Sequence, residues 1–328
     1  MALTDQTTRV RAGEELPVDI IDQYLKAHIP GLNGTPQISQ FPGGASNLTY
    51  LLQYPDRDLV LRRPPFGHKA KSAHDMGREF RILNQLNEGF PYCPKAYVYC
   101  TDDSVIGAEF YVMERVEGRI FHDSRLSGAP KEDRRAMYRS AARALAEIHK
   151  VDIEAAGLST FGKHGNFYAR QITRWTRQWE LSKTREMPEI DRIAAWLPAN
   201  RPDDERTTVV HGDFRIGNLI FHPVEPRVAA VLDWELSTLG HPLADLAHTC
   251  VYTWMLRPGE YGGVMGLDPA QEGLPTMQDF IDDYLQHMGR ADRPGAFQIV
   301  LALFRNAVIF EGIAARTGML LTGDGRFM

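Results

Sequence analysis

Residues 208–235 constrain the fold more than any other stretch of the chain. Thr208-Val209-Val210 is strand-like and runs into His211-Gly212-Asp213-Phe214-Arg215-Ile216-Gly217-Asn218. Leu219-Ile220-Phe221 is strand-like again, His222-Pro223 is a turn, and the apolar run Val228-Ala229-Ala230-Val231-Leu232 ends at Asp233. His-Gly-Asp taken alone is ordinary turn chemistry, and an Asp closing a buried strand is common. Taken together the pieces predict a hairpin that gathers Asp213, Asn218 and Asp233 around one cleft.

Those residue types suit phosphoryl transfer, which needs one carboxylate at the attacking hydroxyl and an Asn and a second Asp for the metal–nucleotide complex. Asp213 and Asn218 have the Asp-x-x-x-x-Asn spacing of a kinase catalytic loop, and Asp233 stands where the metal-binding Asp belongs. Only twelve positions separate Asp233 from Asp245, too few for a peptide-presenting activation segment. The expected acceptor is therefore a small molecule with a hydroxyl group.

At this point the residues carry a family likeness. The run from His211 to Pro223, with Val231-Leu232-Asp233-Trp234-Glu235 and Gly240-His241-Pro242-Leu243-Ala244-Asp245, resembles the aminoglycoside phosphotransferase-like family. Within it the wording is similar to the branch that stands alone in bacteria or is fused to acyl-CoA dehydrogenases. The resemblance runs from about Phe41 to about Arg316. It implies an α+β, bilobal protein-kinase-like fold: an N-lobe of antiparallel sheet plus helix over 1–115, and a larger, mainly helical C-lobe with the catalytic hairpin over 116–328.

The same resemblance assigns roles. ATP, or GTP, would lie between the lobes with Mg²⁺ on Asn218 and Asp233, and Asp213 would accept or orient the acceptor's proton. Arg215 would stabilise transferred charge or brace the loop. Gly43, Gly44 and Ser46 would lie over the phosphates. Strand alternation puts Val60 and Arg62 on one face and Leu61 and Arg63 on the other, so Val60 would meet the adenine and Arg62 the phosphates, with Arg63 as fallback. Arg at this position departs from the usual kinase Lys. Glu79 would pair with that cation, and the backbone of Glu114 and Val116 would form the inter-lobe hinge, with Gly118 at the lobe boundary. Asp245 would brace the catalytic loop through His211 or neighbouring backbone N–H groups, and His241, where the family usually has Asp, reads as a turn element.

Apolar periodicity predicts helices over 18–28, 72–87, 131–150, 167–181, 190–197, 243–256, 276–288 and 296–316. Strand patterns fall at 38–41, 48–52, 59–62, 96–99 and 110–114. Helix 72–87 has Met76, Phe80, Leu83 and Leu86 on its buried stripe with Glu79 at the border. His149 reads as a helix-terminal residue favoured by the helix dipole.

Composition fits an ordinary globular chain, at 43% hydrophobic and 24% charged. A net charge of −5 gives no sign of nucleic-acid binding. The N-terminus has no apolar h-region and no run reaches the roughly 20 residues of a bilayer span, so no membrane association is expected. Cys93, Cys100 and Cys250 lack metal-type spacing and read as reduced thiols of a cytoplasmic protein.

Between Lys163 and Arg185 stand six Lys or Arg against one acid, Glu180. Arg170, Arg174 and Arg177 share a helix face distinct from the stripe of Ile172, Trp175 and Trp179. A basic face suits an anionic acceptor, a hydroxy acid or a CoA ester, and disfavours a polycationic aminoglycoside. The competing readings are an antibiotic phosphotransferase, a nucleotide-binding protein without catalysis, and a metal-dependent hydrolase using His211, Asp213 and Asp233.

Overall fold

The computed structural model describes residues 6–42, 47–65, 75–259 and 261–317. In chain order the elements are α1 (Val18–His28), β1 (Gln37–Gln40), β2 (Leu48–Gln53), β3 (Asp58–Arg63), α2 (Met76–Leu86), β4 (Ala96–Cys100), α3 (Asp103–Ile106), β5 (Phe110–Glu114) and β6 (Arg119–Ile120). Then follow α4 (Lys131–Lys150), α5 (Phe167–Ser182), α6 (Pro188–Ala199), β7 (Thr208–Val210), β8 (Leu219–Phe221), β9 (Val228–Val231) and β10 (Thr238–Gly240). The last are α7 (Pro242–Trp254), α8 (Pro269–Glu272), α9 (Met277–Met288) and α10 (Ala296–Thr317). Internal contacts divide the chain into two compact units, Met1–Ile120 with Leu219–Leu236, and Phe121–Asn218 with Ser237–Met328. The expected division at 115/116 made no provision for residues 219–236, which belong with the first unit.

The first unit is built on an antiparallel sheet of order β1-β2-β3-β5-β4. One face carries Tyr50, Leu52, Leu59, Leu61, Phe110 and Val112, clustered with Ile21 and Leu25 of α1. Burying side chains of this size stabilises by about 1.5–3 kcal/mol each. The alternation holds: Leu61 is in that cluster, while Arg62 is directed to α2. Arg63 is buried with its Nη1 donating to the Ile106 carbonyl at 3.0 Å, which excludes it as the phosphate fallback. In α2 the buried residues are Met76, Glu79, Ile82, Leu83 and Leu86, so Glu79 sits inside the stripe and Phe80 at its edge, the reverse of expectation. Residues 72–74 of the predicted helix lie outside the described residues. A second sheet, β6-β8-β9, completes the unit. Gly118 is required here, because a Cβ would lie 2.2 Å from the Phe221 carbonyl oxygen.

In the second unit α4 packs along α9, and α5, α6 and α10 enclose Trp175, Trp179, Leu197 and Phe304. β7 pairs antiparallel with β10, so the strand before the catalytic loop and the hairpin after it belong to different sheets. By length and hydropathy α10 is apolar enough over Ala296–Ala315 to cross a membrane (mean hydropathy 1.5), contrary to the expectation that no run is. Half of that window is buried against α5, α6 and α7, which makes it a core helix of this unit.

Candidate active site

Each unit contributes a cluster. In the first, β3 presents Arg62 to α2, where Nη1 donates to Glu79 Oε1, and Nη2 lies 3.5 Å from Asp233 Oδ1. Glu79 is almost fully buried and Arg62 nearly so. Burial works against the guanidinium's charge, but Glu79 and Asp233 beside it hold its pKa above the ordinary value. Burial pushes Glu79 up while Arg62 pulls it down, so the carboxylate depends on its cation. Asp233 has a positive φ of 66°, a conformation costly for a non-glycine residue that collects at functional positions. The buried Trp234 after it anchors the turn, its Nε1 donating to Val231 O at 3.0 Å.

At the other end of this sheet the Glu114 N–H donates to Lys95 O at 2.8 Å. Val116 follows β5 directly, and its N–H makes no backbone hydrogen bond among the described residues. Val60 is buried between Leu51 and Met113. Gly43, Gly44 and Ser46 lie outside the described residues.

The second cluster is the loop after β7. Asp245, in the first turn of α7, accepts from the His211 N–H (2.7 Å) and the Gly212 N–H (2.9 Å). Gly212 has φ +85°, a backbone that a side chain would strain. Burial would raise Asp245, but the His149 ring at 3.2 Å and the backbone donors hold it down at about 2. His149 also meets the Tyr284 hydroxyl at 2.7 Å, so it belongs to this brace and is more than a helix-end residue. His241 likewise exceeds its expected turn role: its Nδ1 caps α7 by accepting from Leu243 N–H at 3.2 Å.

Asp213 is held on both oxygens. His248 Nε2 lies 3.1 Å from Oδ1, and Arg215 Nε (3.2 Å) and Asn218 Nδ2 (3.0 Å) reach Oδ2. Burial raises its pKa, but His248, Arg215 and Arg305 outweigh that and hold the carboxyl well below the usual range. Asn218 Nδ2 also donates to the Asp213 carbonyl at 2.8 Å, which turns its side-chain oxygen away from Asp213. The Arg215 guanidinium lies 5.3 Å from the Tyr252 ring centroid.

The sequence missed His248 and Arg305. His248 was findable, since it stands three positions after Asp245 on one helix and so shares its face. The structure thus brings together Asp213, Arg215, Asn218, His211 and Asp245 in one unit, and Arg62, Glu79 and Asp233 in the other. Arg170, Arg174 and Arg177 line an open groove of about 650 Å³ along α5 with Thr173, Gln178 and Leu181. Arg170 is partly committed to the carbonyls of Gly165 and Lys163. Among the described residues no group of three or more His, Cys, Asp or Glu is arranged to hold a metal ion. The hydrolase reading needs such convergent ligands.

A kinase-like sheet with its buried Arg–Glu pair, and a helical unit with a braced Asp-x-x-x-x-Asn loop, define the class: a phosphotransferase of protein-kinase-like fold. The profile of the phosphotransferase enzyme family matches residues 37–280, and the chain belongs to that family. Acyl-CoA dehydrogenase family member 10 of Mus musculus is 40% identical over 97% of the chain. The chain spans 30% of that protein's length, and 42% of family member 11 of Rattus norvegicus. A solved structure from Ralstonia eutropha, assigned to the aminoglycoside phosphotransferases, superposes with a TM-score of 0.84 at 38% identity, covering 95% of this chain and 93% of that one. The aminoglycoside phosphotransferase APH(4)-Ia, solved with AMP-PNP and hygromycin B, shares the fold at a TM-score of 0.60 and 14% identity, covering 91% of this chain and 92% of that one.

Proposed function

We propose that this chain transfers the γ-phosphoryl group of ATP to a hydroxyl of an anionic small molecule, a hydroxy acid or hydroxyacyl-CoA. The observation that carries the reading is the three-way hold on Asp213 by His248, Arg215 and Asn218. A carboxylate fixed on both oxygens and kept ionised is suited to orient an attacking hydroxyl and to take its proton late, as the phosphoryl group departs. Arg215 then balances charge at the same carboxylate.

Arg62 offers a planar cation for phosphate oxygens, and Val60 an apolar surface for the base. Of the solved neighbours one holds AMP-PNP and another GDP, which supports a purine nucleotide as donor. Each expected magnesium ligand is, within its own unit, a hard oxygen donor: Asn218 turns its amide nitrogen to Asp213 and so its oxygen away from it, and Asp233 is partly exposed. Such an ion would neutralise charge on the phosphates. The likeness to acyl-CoA dehydrogenase family members, and the arginines along α5, support an acyl-CoA or hydroxy-acid acceptor.

The test is purified protein with Mg²⁺–ATP against hydroxy acids, hydroxyacyl-CoA esters and aminoglycosides, scored by mass spectrometry. Phosphorylated acid or ester that is lost in Asp213→Asn establishes the reading. Product with aminoglycosides alone keeps the mechanism and replaces the substrate. Nucleotide binding without any product overturns the assignment as an enzyme of this acceptor class.

A further inference from the structure

Arg305 is a cation the chemistry above does not use. It lies on α10, one turn beyond Ala302, which packs against Ala247 and Val251 of α7, the helix that carries Asp245 and His248. Its Nε is enclosed and has no hydrogen-bond partner among the described residues. Asp213 and Asp245 are near enough to act on it electrostatically, yet both are taken: Asp213 by His248, Arg215 and Asn218, Asp245 by His149 and two backbone N–H groups. Its guanidinium carbon lies 5.5 Å from the Trp175 ring centroid, and that of Arg174 lies 5.0 Å from the same ring. Arg174 in turn lines the α5 groove.

Arg305 is half-buried, with its Nε enclosed and unpartnered, so part of its guanidinium is left for a ligand anion to satisfy. Such an anion has a natural source in a ligand that binds beside Asp213. We infer that Arg305 is the residue that recognises the acceptor: it receives an anionic oxygen of that molecule while the acceptor's hydroxyl lies at Asp213, and Arg174 continues the same positive track into the α5 groove. The inference rests on the phosphotransfer reading and gives it a specificity determinant. The anionic oxygen has two possible sources, the carboxylate of a free hydroxy acid or the phosphates of a CoA ester. An aminoglycoside would meet like charge at this place.

The test does not depend on turnover. Calorimetric binding of 4-hydroxybutyrate, its CoA thioester and its neutral amide is compared between the wild type, Arg305→Lys and Arg305→Gln. Loss of one charge-assisted contact predicts about 10- to 100-fold weaker binding of the anionic members to R305Q, a smaller loss in R305K, and no change for the amide. Binding of the free acid identifies a carboxylate as the group read, and binding of the thioester alone identifies the CoA phosphates. Thermal melting supplies a second readout: without ligand, R305Q melts close to the wild type, because no hydrogen bond from the enclosed Nε is lost. Equal affinity for acid, thioester and amide, no binding of any anion to the wild type, or a ligand-free R305Q that melts well below it overturns the inference. Arg305-dependent binding in a protein that transfers no phosphate would leave Arg305 as the anion receptor and discard the phosphotransfer reading alone.

Discussion

His248 Nε2 lies 3.1 Å from Asp213 Oδ1, and this contact decides which way the candidate base faces. Burial and the nearby Arg305 both lower the imidazole's pKa below its ordinary value of 6.5, against the pull of Asp213. A neutral ring has one N–H, and the Asp213 contact places it on Nε2. Replacing His248 with Ala leaves Oδ1 unheld and lowers kcat on the order of 10- to 100-fold, the cost of a misplaced group. The KM for ATP stays within about twofold, as steady-state kinetics will show.

The same depressed value gives a pH dependence. A histidine that binds its proton less readily folded than unfolded makes stability fall as pH drops through 6.5 toward the lower folded value. His241, also lowered chiefly by burial, acts in the same direction. Thermal melting should therefore decline between about pH 7 and 5.5, and His248→Gln should flatten that slope. An unchanged slope in H248Q would mean that the ring stays protonated in the fold.

Asp245 acts in the same direction, in a more acidic window. With a folded value of about 2 against an ordinary 3.8, it contributes stability that is present above pH 4 and lost as pH falls toward 2. Asp245→Asn sets an amide N–H₂ among donors from His211, Gly212 and His149. We expect a loss of about 3–5 kcal/mol at pH 7, the usual consequence of removing one partner of a buried charged network. Urea unfolding at pH 7 and pH 3 checks both halves, since the gap between variant and wild type narrows at the lower pH.

Arg62 touches Glu79 and Asp233 at once, which a fork can do and a point charge cannot. Arg62→Lys should keep the Glu79 pair, lose Asp233, and weaken ATP binding about 10-fold. Glu79→Ala strands a buried guanidinium and costs about 3–5 kcal/mol as well. Nucleotide titration and denaturant melts separate the two effects.

Gly118→Ala puts a methyl group against the Phe221 carbonyl and the Ile220 side chain. The loss is expected to be about 1–3 kcal/mol by chemical denaturation, as for other overpacked sites.

The long helices and most strands were legible because their apolar period exceeds one turn or one pleat: α1, α4 and β5 have the residues expected of them. The site was legible where chemistry fixes spacing, as from Asp213 to Asn218, or where one residue pairs with a known partner type, as Glu79 with Arg62. β6 and β10, two and three residues long, carry no period to read. Arg305 looks in sequence like a solvated helix cation, and only the packing of α10 against α5 and α7 encloses its Nε. Arg170 was read as free for substrate, whereas the loop before α5 folds back and engages it through the carbonyls of Gly165 and Lys163.

The chain leaves the first unit at Ile120 and returns to it at Leu219, so β6 has no strand to pair with until β8 has been made. During synthesis the ribosome must therefore deliver α4, α5 and α6 before the earlier unit can close its second sheet. The order of translation and the order of completion are interleaved, and neither unit can be cut out as one uninterrupted stretch of gene.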